Sequence, residues 1–228
     1  MALYGYIKAQ PQSQLKIKIG RFLPIAFFGA GLVFLGNAIS PILLYELKSQ
    51  SFSQQLISPV EVFGEATTVV DYSRPSAWFP TAPNLPPKPS KITHYALSIP
   101  KLEISDAVVQ IGGDDLMKSL IQYSGTALPG QYGNAVIFGH SVLPQFFNPK
   151  NYKTIFSTLP TLKENDEIFI NFDGIEYRYQ VSKLVEVSPD DISVLEQQYD
   201  DESLTLITCA PPGTYLKRLV VRAKLMRY

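Results

Sequence analysis

From Phe22 to Tyr45 the chain carries no charged residue. As a helix at about 1.5 Å per residue this stretch is about 36 Å long, enough to cross a hydrocarbon core of about 30 Å. A cleaved signal peptide has a shorter apolar run, about 7–15 residues. A buried core helix is the other rival, and Pro24, Pro41 and three glycines (Gly29, Gly31, Gly36) count against it. The run reads as an uncleaved membrane anchor. Residues 1–21 hold Lys8, Lys16, Lys18 and Arg21 and no acid. Positive charge on that side keeps the N-terminus in the cytoplasm and places the rest of the chain outside the cell membrane, as a single-pass protein.

Beyond the anchor the chain divides by composition. Residues 46–91 read as a stalk, proline-rich over 74–91 with Pro75, Pro80, Pro83, Pro86, Pro87 and Pro89, the signature of an extended polyproline-like spacer. Trp78 and Phe79 lie inside it. They read as part of a passive spacer, the other readings being docking on the domain or the membrane surface and a lid folded over a site. Residues 92–228 then have the length of one domain. With 20 basic and 20 acidic residues the formal charge is zero, so nothing in the balance points to nucleic acid.

The single cysteine closes an apolar strand, Leu204-Thr-Leu-Ile-Thr-Cys209, and Ala210-Pro-Pro-Gly213 comes directly after it. Prolines without a donor and a glycine make a loop rather than more ladder. A second strand opens at Arg218. Alternation puts Leu204, Leu206 and Thr208 on one face of the first strand, and Thr205, Ile207 and Cys209 on the other. Paired as a hairpin, the two strands set Arg218 opposite Cys209, with Cβ atoms about 5 Å apart. A thiol beside a fixed cation suits acyl transfer; a lone buried cysteine that is merely a small hydrophobe is the bland alternative. With one cysteine no internal disulfide exists, so an exported domain keeps a free thiol. Only His94 and His140 offer an imidazole. His140 ends the run Asn134–His140 at a strand mouth, where loops hold chemistry on a rigid frame. His94 sits beside the stalk and reads as structural or solvated.

These residues resemble the sortases, membrane-anchored cysteine transpeptidases of bacterial surfaces. The family's Thr-Leu-any-Thr-Cys strand is matched by Thr205–Cys209, its Gly-His strand end by Gly139 and His140, and its arginine by Arg218. Tyr95–Ile104 and Leu159–Ile170 are also similar, so the likeness covers about residues 92–228. It implies a closed β-barrel with a surface groove, and the catalytic set His140, Cys209 and Arg218. Ile207 and Thr208, beside the nucleophile, would line the groove, though strand packing explains them equally well. The substrates implied are exported proteins bearing a sorting motif of the Leu-Pro-any-Thr-Gly type. The acyl group would pass to an amine, on a cell-wall precursor or a pilin lysine. Ala210–Gly213 resembles the classes with a short loop before the arginine. The C-terminus carries no second hydrophobic segment, which fits a housekeeping or special-substrate role.

The fold class expected is mainly β. Strands are predicted over His94–Ile99, Ser105–Ile111, Asn134–Phe138, Asp166–Phe172, Ile175–Val187, Ser203–Cys209 and Arg218–Met226. Asp173-Gly174 suits a type I′ hairpin. Short helices are predicted over Asp114–Gln122 and Asp190–Gln197, with their paired acids as caps and solvated faces rather than acid–base pairs. Glu164, Asp166, Glu167 and Asp106 raise calcium, which some sortases use; surface carboxylates are the default, and no cofactor or metal is expected.

In chemical terms Cys209 would attack a backbone carbonyl, His140 would protonate the leaving amine, and Arg218 would stabilise the oxyanion. With ordinary pKa values of about 8.5 and 6.5, only about 1% of molecules near pH 7.5 hold the thiolate–imidazolium pair. Two other function classes remain: a non-catalytic membrane-tethered surface domain, and a plain cysteine hydrolase.

Overall fold

Alternation of apolar residues along seven segments builds most of the barrel. The computed structural model describes residues 5, 14–49, 53–54, 71–79, 82, 85–86 and 90–227, with backbone alone at 14–21 and 53–54. Most of the basic N-terminal segment and much of the stalk, including Pro80, Pro83, Pro87 and Pro89, lie outside the described residues.

Two units make up the chain, divided between Leu43 and Leu44. The first is dominated by α1 (Gln14–Ser49), a single helix that contains Pro24 and Pro41. From Phe22 to Ser49 it is long and apolar enough to cross a membrane. Phe27, Phe28, Val33 and Phe34 on it are about 70% exposed, the surface of a helix whose apolar side chains have no protein core to enter.

In the second unit the strands are β1 (Ser53–Gln54), β2 (His94–Ile99), β3 (Ile104–Ile111), β4 (Leu120–Gln122), β5 (Gly133–Phe138), β6 (Glu167–Phe172), β7 (Ile175–Val187), β8 (Glu202–Ala210) and β9 (Lys217–Leu225). Their order is β1-β7-β6-β2-β3-β4-β5-β8-β9, and pairing of β7 with β9 closes β2–β9 into a barrel of eight strands. The expected mainly-β closed barrel is therefore the observed one. At the β6–β7 turn Asp173 and Gly174 both have positive φ, 55° and 75°, the left-handed pair a type I′ turn requires.

Two layers of apolar side chains flank the wall of β8 and β9. Leu204 and Leu206 of β8, with Leu219, Val221 and Ala223 of β9, point into the barrel with Leu97, Ile137, Phe156, Leu159 and Ile168. Ile207 and Cys209 of β8 and Val220 of β9 face outward into a second cluster. That cluster contains Val136 and Phe138 of β5, Val185 and Val187 of β7, Val194 and Leu195, and Trp78 and Phe79.

The structure corrects three expectations. Residues 116–119 form a turn and a bend, and 120–122 are strand β4, so no helix covers Asp114–Gln122; Leu120, Ile121 and Gln122 pair with β3 and β5. Over 190–197 only a 3₁₀ turn forms, Ile192–Leu195, and Asp191 caps it by accepting from the Ser193 N–H. The third concerns the stalk. Pro75–Ala77 is a 3₁₀ turn and Trp78 and Phe79 are buried, so this part of 74–91 is not a passive extended spacer.

Candidate active site

Cys209 is the last residue but one of β8 and Arg218 the second of β9, and the two are direct cross-strand partners. The hairpin register predicted from alternation is the register found. His140 lies two residues past β5, which runs parallel to β8 with Phe138 beside Ile207. Three hydrogen bonds extend that register past the strand end. The Gly139 N–H donates to the Ile207 carbonyl at 3.1 Å. The Thr208 hydroxyl donates to the Gly139 carbonyl at 2.8 Å, and the Ser141 hydroxyl donates to the Cys209 carbonyl at 2.8 Å. His140 is thus held between two residues tied to β8, level with Cys209. Gly139 must be small here, because a Cβ would come within 2.4 Å of Phe156. Ser141 carried no signal in the sequence beyond its place next to the histidine.

The two groove candidates point in opposite directions. Ile207 shares the outer face with Cys209 and belongs to its apolar cluster. Thr208 is fully buried on the other face, where its hydroxyl holds Gly139. His94 is exposed on β2, with its Nδ1 2.9 Å from the Thr93 hydroxyl; β2 pairs with β3 and β6, not with β8.

Residues 71–79 cover this site. Trp78 is completely buried, and its ring lies 6.1 Å from that of His140 and 5.4 Å, edge-on, from Phe138. Arg218, only 1% exposed, donates from Nη2 to the Trp78 carbonyl at 3.1 Å. Its Nη1 donates to the carbonyls of Tyr215 and Lys217, each at 3.1 Å, while Nε is buried without a partner among the described residues. The guanidinium also sits over the rings of Trp78 and Tyr72, 5.4 and 5.8 Å from their centroids, a cation–π arrangement. Tyr72 in turn stacks on Tyr215 at 4.2 Å.

The cover is also fastened at its rim. Asp114 takes an ion pair from Arg74 at 3.2 Å and a hydrogen bond from the Ser76 hydroxyl at 3.0 Å, and the Leu116 N–H donates to the Ser73 carbonyl at 2.9 Å. Asp115, by contrast, caps its own turn through the Met117 N–H and pairs with Lys118. Reading both aspartates as local caps missed the part Asp114 plays.

Burial governs the protonation of the site. It pushes the Cys209 thiol up to about 11, and the pull of Arg218 only partly offsets it. Burial also lowers His140 below its ordinary value, against the opposing attraction of Asp115 and Asp71. Burial under the cover thus favours the neutral form of both groups, the protonated thiol and the uncharged imidazole. The His140 Nε2 has no partner among the described residues.

Two of the four carboxylates that raised calcium face cations or backbone. Asp166 pairs with Lys101 and accepts from the Lys163 N–H, both at 2.6 Å, and Glu167 pairs with Arg178. Among the described residues no group of three or more His, Cys, Asp or Glu could hold a metal.

The site thus consists of a closed β-barrel carrying a thiol near a strand end, an arginine across the hairpin from it and a histidine just past the neighbouring parallel strand. The sortase domain family matches residues 97–226, and the chain belongs to that family. Sortase D of Bacillus subtilis (strain 168) is 28% identical over 132 residues, covering 56% of this chain and 61% of the relative. Sortase A of Bacillus anthracis is 31% identical over 133 residues, covering 57% and 58%. The chain thus spans about three-fifths of the length of these curated relatives. Among solved structures, the lid-mutant of Streptococcus agalactiae Sortase C1 superposes with a TM-score of 0.51 at 26% identity, covering 59% of this chain and 69% of the other.

Proposed function

We propose that the chain is a sortase transpeptidase, anchored by α1 with its N-terminus inside and its barrel outside a bacterial membrane. The observation that carries this reading is the Cys209–Arg218 cross-strand pair, with His140 held level with it by Gly139 and Ser141. In the first half-reaction the Cys209 thiolate attacks the carbonyl carbon of a sorting-motif peptide bond of the Leu-Pro-any-Thr-Gly type. The C–N bond then breaks, His140 gives its proton to the departing amine, and a thioester remains on Cys209. In the second half an acceptor amine, on a cell-wall precursor or a pilin lysine, attacks the thioester. Cys209 leaves as thiolate and the proton returns to His140. Arg218 stabilises the oxyanion in both halves.

The structure as it stands is the closed form of such an enzyme. The Trp78 carbonyl occupies the donor of Arg218 that a substrate oxygen would need, and Trp78 and Phe79 fill the apolar surface around Cys209. Residues 71–79 would have to leave before a peptide enters. A lid is named in the matched Sortase C1 mutant, which supports reading this segment the same way.

The test uses the full-length chain and its Cys209→Ala variant in maltoside micelles, with a Leu-Pro-any-Thr-Gly peptide set and triglycine. Mass spectrometry should find a triglycine-ligated product with the parent chain and none with the variant. Free acid alone in the presence of amine would favour the hydrolase. No adduct on Cys209, in the parent or in a Trp78→Ala chain whose cover is weakened, would favour a non-catalytic domain.

A further inference from the structure

The outer face of the sheet that carries Cys209 ends, at its other extremity, in a basic cavity. β7 and β9 lose register between Val181 and Lys183, so that Val181 opposes Ala223 and Lys183 opposes Arg222. Ser182 is the extra residue of a bulge, and its hydroxyl donates to the Arg222 carbonyl at 3.1 Å. A bulge re-aims the side chains next to it. This one sets Lys183 and Arg222 directly opposite on one face, where two like charges cost stability. Neither cation has an ion-pair partner among the described residues.

Both line a cavity of about 190 Å³ together with Asn134, Ser193, Ser203 and Glu196. Its floor is preformed. The Asn134 side chain accepts from the Thr205 hydroxyl at 2.7 Å and donates to the Val194 carbonyl at 3.2 Å. Those two bonds fix the Ile192–Leu195 turn to the sheet. The Ser203 hydroxyl donates to the Gly133 carbonyl at 3.1 Å, leaving its oxygen free to accept. Glu196 is the one carboxylate among the lining residues, so two cations face one anion. An anion between Lys183 and Arg222 would turn the repulsion of the pair into attraction. A phosphoryl group supplies a charge of about −1.5 to −2 near pH 7 and several acceptor oxygens, matching a point-charge lysine and a forked arginine. Arg222 opposes Thr205, four residues along β8 from Cys209, or about 13 Å, so the cavity is separate from the acyl-transfer centre.

We propose that this cavity is a phosphate-binding site, taking a phosphoryl group that is either free or carried on a lipid headgroup. The test is calorimetric titration of the full-length chain in maltoside micelles at fixed ionic strength. Inorganic phosphate is one arm and short-chain dihexanoyl phosphatidic acid the other, with chloride as the control anion. Saturable binding beyond chloride is expected, weakened at least about tenfold by Arg222→Gln or Lys183→Gln, the loss of one charge-assisted contact. Equal affinity in the two arms identifies the phosphoryl group alone as ligand; binding of the lipid only identifies a headgroup. Glu196→Gln, which leaves both cations in place, should tighten binding severalfold. No saturable binding in either arm, unchanged affinity in the cation variants, or weaker binding in Glu196→Gln would each overturn the proposal and leave the pair as a solvated rim.

Discussion

The two apolar clusters on either side of the β8–β9 wall are built differently. The inner one is supplied chiefly by strands of the barrel and the loops between them, and its members are buried by closure of the sheet. The outer one holds the nucleophile, and part of its roof is Trp78 and Phe79, from a segment that belongs to no strand. Closure of a barrel is cooperative and hard to undo locally. A short roof, residues 71–79, fastened by a few polar contacts can open without unfolding the rest. The inner cluster therefore sets whether the chain folds, and the outer one sets what state its cysteine is in.

Removing the nucleophile should separate the two clusters most cleanly. Cys209→Ala should abolish amine ligation, a loss of about 10³-fold or more as for other covalent nucleophiles, while leaving the melting temperature within a few degrees. Leu206→Ala, on the same strand but facing inward, should do the reverse at the level of stability. It should cost about 2–5 kcal/mol by emptying space among packed barrel residues, read by denaturant unfolding.

Trp78→Ala tests the roof itself. Removing it rehydrates Cys209, so the thiol should fall from about 11 toward its ordinary value near 8.5. The thiolate is the reacting species, so alkylation by iodoacetamide at pH 7.5 should speed up by on the order of 10²-fold. The sign with pH comes from the raised value. The covered parent keeps its proton where an uncovered thiol has lost it, so closure is fully favourable below about pH 8.5 and weakens as pH rises toward 11. An unchanged alkylation profile in Trp78→Ala would mean the cover does not control the thiol.

Seven of the eight barrel strands are legible in the sequence, because period-two alternation is strong where one face enters the barrel and the other meets the layer around Cys209. The hairpin register of Cys209 and Arg218 comes from the same alternation, and the His140 position from Gly139 at a strand mouth. β4 is not legible: Leu120–Gln122 is buried on both faces, and a short apolar run without alternation cannot be told from a helix turn. The cover is not legible either. Nothing local in Tyr72–Phe79 encodes burial; what buries Trp78 is a hydrogen bond from its ring N–H to the Tyr72 carbonyl, its own carbonyl accepting from Arg218, and an apolar surface assembled from five strands. Proline density argued for extension, and tertiary contact overrode it at Pro75. Lys183 facing Arg222 is hidden for a related reason, since only the bulge at Ser182 brings them level.

The smallest expected effect concerns how the roof is fastened. Asp114 pairs with Arg74 and accepts from Ser76, and all of these contacts are exposed. Exposed ion pairs contribute about 0–1 kcal/mol, so Asp114→Asn should leave the melting temperature nearly unchanged. If closure and opening are in rapid exchange, the same increment shifts the open fraction by up to about fivefold, and alkylation of Cys209 should rise by that factor. High salt should raise the parent's rate toward the variant's, because screening weakens the same contact. Trp78→Ala combined with Asp114→Asn should then react no faster than Trp78→Ala alone, since the aspartate can act on the thiol only through the roof. Additive acceleration in the double variant would place Asp114's influence on His140 or Cys209 directly and separate the rim from the roof.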